Sequence, residues 1–127
     1  MPEYDNCSPP KLVRLKRRSE YVFVRGGKSD RKRSVVVQTR RRKDSEHIGL
    51  GFTATKKVGG AVVRNRAKRR MRAAAALLLP EHGAAGFDYV FIARKDTSEV
   101  AWKRLLDDME SALISLAGAS GDHATQG

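Results

Sequence analysis

One cysteine, Cys7, stands in 127 residues, so no disulfide can close within the chain. Three scattered histidines, His47, His82 and His123, complete no zinc-ligand spacing with it. No apolar run approaches the ~20 residues of a membrane span, and residues 1–20 hold no apolar signal core. A reducing, cytoplasmic setting is expected. No phosphate loop of the GxxxxGK type is present; Gly49-Leu50-Gly51 lacks a third glycine and lies inside an alternating stretch. Acid is missing where it would most be expected, since no Asp or Glu occurs between His47 and Pro80.

Catalytic groupings are missing too. Asp107, Asp108 and Glu110 are close in sequence, but at helical spacing they read as an exposed acidic face rather than a Mg²⁺ site. Glu46 and His47 adjoin at a strand start, where neighbouring side chains point to opposite faces. The chain reads as a binder, not a self-contained catalyst.

What is present is positive charge, unevenly spread. Residues 1–80 carry 22 basic and 6 acidic side chains, a net of +16, whereas residues 81–127 carry 4 and 8, a net of −4. Clustered cations of this kind gain by releasing counterions from a polyanion, and nucleic acid is the leading partner. A membrane surface fits less well, because the basic helix lacks a large aromatic face. The centre of the pattern is 56–80, KKVGGAVVRNRAKRRMRAAAALLLP, with eight Lys/Arg and no acid. At about 100° per residue, Val63, Ala67, Met71, Ala74 and Leu78 form one stripe. Arg64, Asn65, Lys68, Arg69 and Arg72 share a neighbouring arc of roughly 140°. Like charges four apart, such as Arg64/Lys68 and Lys68/Arg72, repel mildly. A helix kept charged only for solubility would intersperse acids.

The rest of the chain supplies a scaffold. Residues 1–10, with three prolines, and 118–127, without periodicity, are expected to be disordered tails around one domain, 11–117. Lys11–Arg18 is a basic lead-in; Ser19 is the expected N-cap of a short helix, Glu20–Arg25, ended by Gly26-Gly27. Tyr21, Val22, Phe23 and Val24 give that helix more apolar surface than one side can bury. Lys28–Arg33 is a charged connector with room for a short strand, and Val35–Thr39 reads as a strand. Arg40–Ser45 reads as a hairpin loop, either solvated or touching RNA. In His47–Thr55, Ile48, Leu50, Phe52 and Ala54 alternate with Gly49, Gly51, Thr53 and Thr55, which predicts a strand with one packed face and one small, approachable face. The basic helix should run to Leu79 and close at Pro80 and Gly83. Phe87–Ala93, apolar on both faces, predicts a central strand. Asp96–Glu99 resembles a helix cap, followed by a helix carrying Trp102, Leu105, Leu106, Met109, Leu113 and Leu116. The fold class is an α+β two-layer sandwich, with helices on a small sheet.

At Arg64-Asn65-Arg66 the pattern becomes specific. The run LGFTATKKVGGAVVRNRAKRRMR resembles the signature of the bacterial ribonuclease P protein family, a strand followed by KK-V-G and AVxRNRxKRxxR opening a helix. LVRLKRRSEYVFVRGG resembles the family's N-terminal LKRRxDF…G segment, and FDYVFIARKDTSEV its DYVxIAR strand. The likeness spans roughly Leu12–Leu116.

The resemblance implies an αβββαβα fold with a small mixed sheet and a left-handed βαβ crossover, rare among proteins. It implies a subunit of an endoribonuclease whose catalytic RNA, with Mg²⁺ bound mainly by that RNA, removes the 5′ leader of precursor tRNA. By position, Lys56, Lys57, Arg64, Asn65, Arg66, Lys68, Arg69 and Arg72 would meet the catalytic RNA. A cleft between the first helix and the sheet would receive the leader, with Tyr21 as its aromatic platform and Arg25, Val36, Gln38, Thr53 and Thr55 around it. Arg25 falls where some members carry a second aromatic, and a guanidinium plane can also stack on a base. Gly60 falls where members often carry a polar or basic residue. A structural RNA-binding protein of the ribosomal kind would share the charge but would not need the cleft; an autonomous nuclease would need catalytic residues that were not found.

Overall fold

Alternation and helical spacing fix most elements, and the chain assembles them around one mixed sheet. The computed structural model describes residues 11–42 and 46–126, and beyond residue 117 only the helical backbone. The elements are β1 (Leu12–Arg14), α1 (Arg18–Arg25), β2 (Lys28–Arg31), β3 (Val35–Arg41), β4 (Ile48–Thr53), α2 (Ala61–His82), β5 (Phe87–Ala93) and α3 (Trp102–Gln126). The sheet order is β1-β4-β5-β3-β2. β5 lies at the centre, parallel to β4 and antiparallel to β3, as its two apolar faces require. α2 connects the adjacent parallel strands β4 and β5, so the crossover carries the basic helix.

One face of the sheet packs against α2 and α3. Val35, Val37, Ile48, Leu50, Phe52, Tyr89 and Phe91 meet Ala67, Met71, Ala74, Ala75, Leu79, Leu105, Met109 and Leu113 in the main core. Phe52 and Phe91 stack with centroids 5.5 Å apart. The magnitudes explain why an acid-free helix holds: each like-charge pair costs about 0.2–0.5 kcal/mol, whereas burying Met71 and Leu79 contributes about 1.5–3 kcal/mol each. Burial wins.

Among the described elements, the other face carries α1 alone. Val24 is fully buried there with Leu15 and Val90, flanked by Tyr21, Phe23 and Ile92. α1 thus adds a partial third layer to the expected sandwich.

Several details differ from the sequence pattern. Leu12–Arg14 forms a parallel edge strand on β4, which the basic lead-in did not suggest. α1 starts at Arg18, with Glu20 Oε1 accepting the backbone N–H of Lys16 at 2.7 Å and Arg17 at 2.8 Å, in place of a Ser19 cap. Arg40 and Arg41 belong to β3, paired with Asp88 and Phe87, rather than to a loop. Thr55 lies beyond the end of β4. Pro80 sits inside the last turn of α2, where its missing N–H forfeits one hydrogen bond, and Gly83 ends the helix by donating to Leu79 O at 2.8 Å. Leu79 is fully buried where the stripe favoured Leu78.

Asp96–Glu99 is not the cap of α3, which begins at Trp102. Thr97 Oγ1 instead donates to Ser34 O at 2.6 Å and accepts from Arg94 N at 2.7 Å, clasping this turn to the β2–β3 turn. The helical backbone of α3 continues through Gly118 and Gly121 to Gln126, because each glycine costs a helix only about 1 kcal/mol. The tail expected from 118 is therefore not marked by a helix end; residues 1–10 lie outside the described residues.

Candidate nucleic-acid interface

The basic surface is built at the turn into α2. Lys56 and Lys57 are exposed in a turn closed by Val58 N donating to Thr55 O and Gly59 N donating to Lys56 O. Gly59 has φ +151°, and a Cβ there would lie 2.9 Å from Val63 Cγ1, so this corner requires glycine. Gly60 caps α2 with its backbone only. The first turn has neither a side-chain cap nor an acid, so its free N–H groups and the helix dipole stay available to an anion.

From this start the eight positions singled out in the sequence spread along α2. Asn65, Arg66, Arg69 and Arg72 are exposed, and Arg64 and Lys68 are half-buried along the margin of the core. Arg64 Nε is shielded from solvent and has no hydrogen-bond partner among the described residues, a donor awaiting an acceptor. Arg72 approaches the Phe52 ring at 5.9 Å and Arg14, from β1, approaches the same ring at 5.8 Å. Arg14 thereby joins the α2 surface; its role was invisible in sequence because the β1–β4 pairing is non-local.

Arg70 is different. Its Nη1 donates to Thr97 O at 2.7 Å and its Nη2 to Val100 O at 2.5 Å, while the guanidinium lies 5.9 Å from the Trp102 ring. Burial, followed by the neighbouring charge of Arg66, lowers its pKa from the ordinary arginine value. Arg70 fastens α2 to the start of α3, and the other arginines face outward.

The cleft lies on the α1 face. Strand register aligns Thr53–Ile92–Val36–Arg31 in one row, Gly51–Val90–Gln38–Ser29 in the next and Gly49–Asp88–Arg40 in a third. α1 crosses the second and third rows. A Cβ on Gly51 would lie 2.6 Å from the Tyr21 ring, and one on Gly49 would meet Asp88 and Leu15. The glycine face expected to be open is thus covered, Gly51 being the seat of Tyr21. Left half-buried beside α1 are Thr53, Ile92, Val36 and Gln38, with half-buried Tyr21 on the near wall. Arg25 is exposed on the same flank of α1, one turn on. Thr55 is exposed past the strand end and is not part of this floor.

Asp107, Asp108 and Glu110 of α3 are already engaged. Asp108 Oδ2 accepts Ser34 Oγ at 2.8 Å, Glu110 Oε2 meets His82 Nε2 at 3.0 Å, and Asp107 lies 4.0 Å from Lys103 Nζ. They converge on no common point, and among the described residues no group of three metal-ligating side chains is assembled. This donor set does not fit a resident Mg²⁺. No helix among the described residues is long and apolar enough to cross a membrane.

Comparison with known proteins agrees with this geometry. A family model described as Ribonuclease P matches residues 10–117. The ribonuclease P protein component of Caulobacter vibrioides is 50% identical over 108 residues, covering 84% of this chain and 72% of that protein. That of Ruegeria pomeroyi is 42% identical over 118 residues, covering 91% and 94%. The solved structure of the Staphylococcus aureus RNase P protein superposes with a TM-score of 0.72 at 29% identity, over 84% of this chain and 96% of that one. With the motif in α2, the sheet order and these relatives in agreement, the chain belongs to the ribonuclease P protein family and is the protein subunit of that ribonucleoprotein endoribonuclease.

Proposed function

We propose that α2 docks on the RNase P RNA and that the cleft beside α1 holds the 5′ leader of precursor tRNA. The observation that carries the docking assignment is the division of labour among the arginines of α2. Arg70 is spent on Thr97 and Val100, while Arg66, Arg69 and Arg72 are exposed and Arg64 Nε still lacks an acceptor. Lys56 and Lys57 extend this surface past the uncapped start of the helix. Phosphate contacts of this kind position an RNA and carry little sequence information.

For the leader, a half-buried aromatic, a neutral floor and a flanking cation suit a single strand: Tyr21 stacks a base, and Arg25 offers a second plane and a charge. Val36, Gln38 and Thr53 present few fixed hydrogen-bonding groups, which favours broad acceptance of leader sequences. Because the carboxylates do not fit a Mg²⁺ ion, hydrolysis is assigned to the RNA and its metal ions. The protein raises the local hold on the substrate. A cytoplasmic location goes with this role.

Reconstitution tests both assignments. Purified protein should not cleave precursor tRNA with Mg²⁺ alone, and should support cleavage at low salt once the RNA is added. Arg69→Ala should weaken assembly about tenfold, equivalent to about 1.4 kcal/mol, with an unchanged melting temperature. Normal assembly by this variant would remove α2 from the interface. A Tyr21→Ala variant that discriminates leader-bearing tRNA from mature tRNA as wild type does would remove the cleft.

A further inference from the structure

α1 has a second flank, and it is also cationic. Tyr21 and Arg25 lie to one side of buried Val24, and Glu20 and Phe23 to the other. On that far side Arg40 of β3 lies with its guanidinium carbon 4.3 Å from the Phe23 ring centroid and donates from Nη1 to Phe23 O at 3.0 Å. Gly26 and Gly27 make this possible: a Cβ on Gly26 would lie 2.7 Å from Arg40 Nη1, and one on Gly27 would strike Thr39 O. Beyond the two glycines, on the opposite face of the sheet from α1, opens a cavity of about 540 Å³ lined by Lys28, Thr39, Arg41 and half-buried Phe87, with Gly26, Gly27 and Arg40 at its rim.

Three features decide what fits it. Among the described residues no carboxylate lines the cavity. The nearby acids on this flank are engaged, Asp88 by ion pairing with Arg42 and Glu20 by the N–H groups of Lys16 and Arg17. The cations differ in readiness. Arg40 is fixed over Phe23 on the α1 face by stacking and a backbone bond and closes the rim; Lys28 and Arg41, on the cavity's own face of the sheet, are exposed and form no described ion pair. The volume lies within the ~300–1,000 Å³ of small-ligand sites, about right for one extruded base with its phosphates outside. Guanidinium planes and phenyl edges take bases without regard to identity.

We propose that this cavity, Gly26–Lys28 with Arg40, Arg41 and Phe87, is a second RNA-binding site that takes an unpaired nucleotide, separate from both the α2 surface and the leader cleft. It rests on the reading that the chain works bound to RNA. The shared chemistry is a single-stranded RNA segment, whose source is either an unpaired stretch of the RNase P RNA or precursor tRNA beyond the nucleotides in the cleft.

The test uses reconstituted holoenzyme. A photo-crosslinking benzoylphenylalanine in place of Arg41 should attach to discrete unpaired nucleotides, and mapping them names the source. In parallel, Lys28→Glu with Arg41→Glu should weaken binding of that RNA at least tenfold and lower its salt slope by about two. The melting temperature should stay unchanged, since neither side chain has a partner among the described residues. If no crosslink forms and the double variant binds both RNAs as wild type does, the site is overturned; so it is if the crosslinker captures an acidic protein instead. Arg69→Ala, run alongside, separates the two proposals. When it weakens assembly and Lys28→Glu/Arg41→Glu does not, only the second site falls. When wild type binds neither RNA, both fall.

Discussion

At the scale of single residues, glycine and arginine carry most of the functional information. Gly51 shows how: the half-buried Tyr21 ring rests on the bare Cα, and a methyl group there would lie 2.6 Å from a ring carbon. Gly51→Ala should therefore cost about 1–3 kcal/mol as an overpacked contact, read as a lowered denaturation midpoint. It should also weaken leader binding, because the ring must lift away from the sheet; an unchanged midpoint with unchanged leader affinity would show that Tyr21 is not seated there. The sequence made this pair half legible. Alternation along 47–55 revealed a small-residue face, and the family motif singled out Tyr21. That the ring fills the small face instead of leaving it open depends on where α1 crosses the sheet, which no local pattern encodes. Arg69 and Arg70 make the same point. They are adjacent in sequence and chemically identical, yet one faces solvent and the other bonds two carbonyls, because only the second points toward the turn after β5.

At the scale of elements, α1 is the least self-sufficient. It has eight residues, too few to be stable alone, and it is held by one buried valine and by Glu20 at its start. The backbone N–H of Arg17, then that of Lys16, holds the Glu20 carboxyl below the ordinary value of 4.5. A carboxylate with a lowered native pKa stabilises the fold above its unfolded pKa, and this contribution fades as pH falls through the native value. Acidification below about 4.5 should thus loosen α1 first, with a small effect because Glu20 is largely solvated. Hydrogen exchange of the Lys16 and Arg17 amides should accelerate there relative to β5, after correction for intrinsic rates, and Glu20→Gln should abolish the pH dependence of that ratio. A ratio unaffected by Glu20→Gln would assign the acid response elsewhere. Elements with strong periodicity, β4, β5 and the body of α2, were legible in sequence. β1 was not, since three residues of edge strand acquire their identity from β4 alone.

At the scale of the whole molecule, positive charge gathers on the first 80 residues while the core is shared by both halves. On the proposed assignment, docking and folding draw on different residues of the same helix, and salt distinguishes them. Each Lys or Arg that neutralises a phosphate contributes roughly one to the slope of log affinity against log salt. Arg69→Ala should lower that slope by about one and leave the melting temperature in place. Arg70→Ala should leave the slope unchanged and lower the melting temperature, because the two carbonyls of Thr97 and Val100 lose charged donors worth about 1.5–3 kcal/mol each. Titrating assembly with the RNase P RNA between low and moderate salt, alongside thermal melts of the free proteins, measures both. The opposite pattern, a slope lost with Arg70 and a melting temperature lost with Arg69, would mean that the RNA rearranges the α2–α3 junction on binding and recruits the half-buried Arg70.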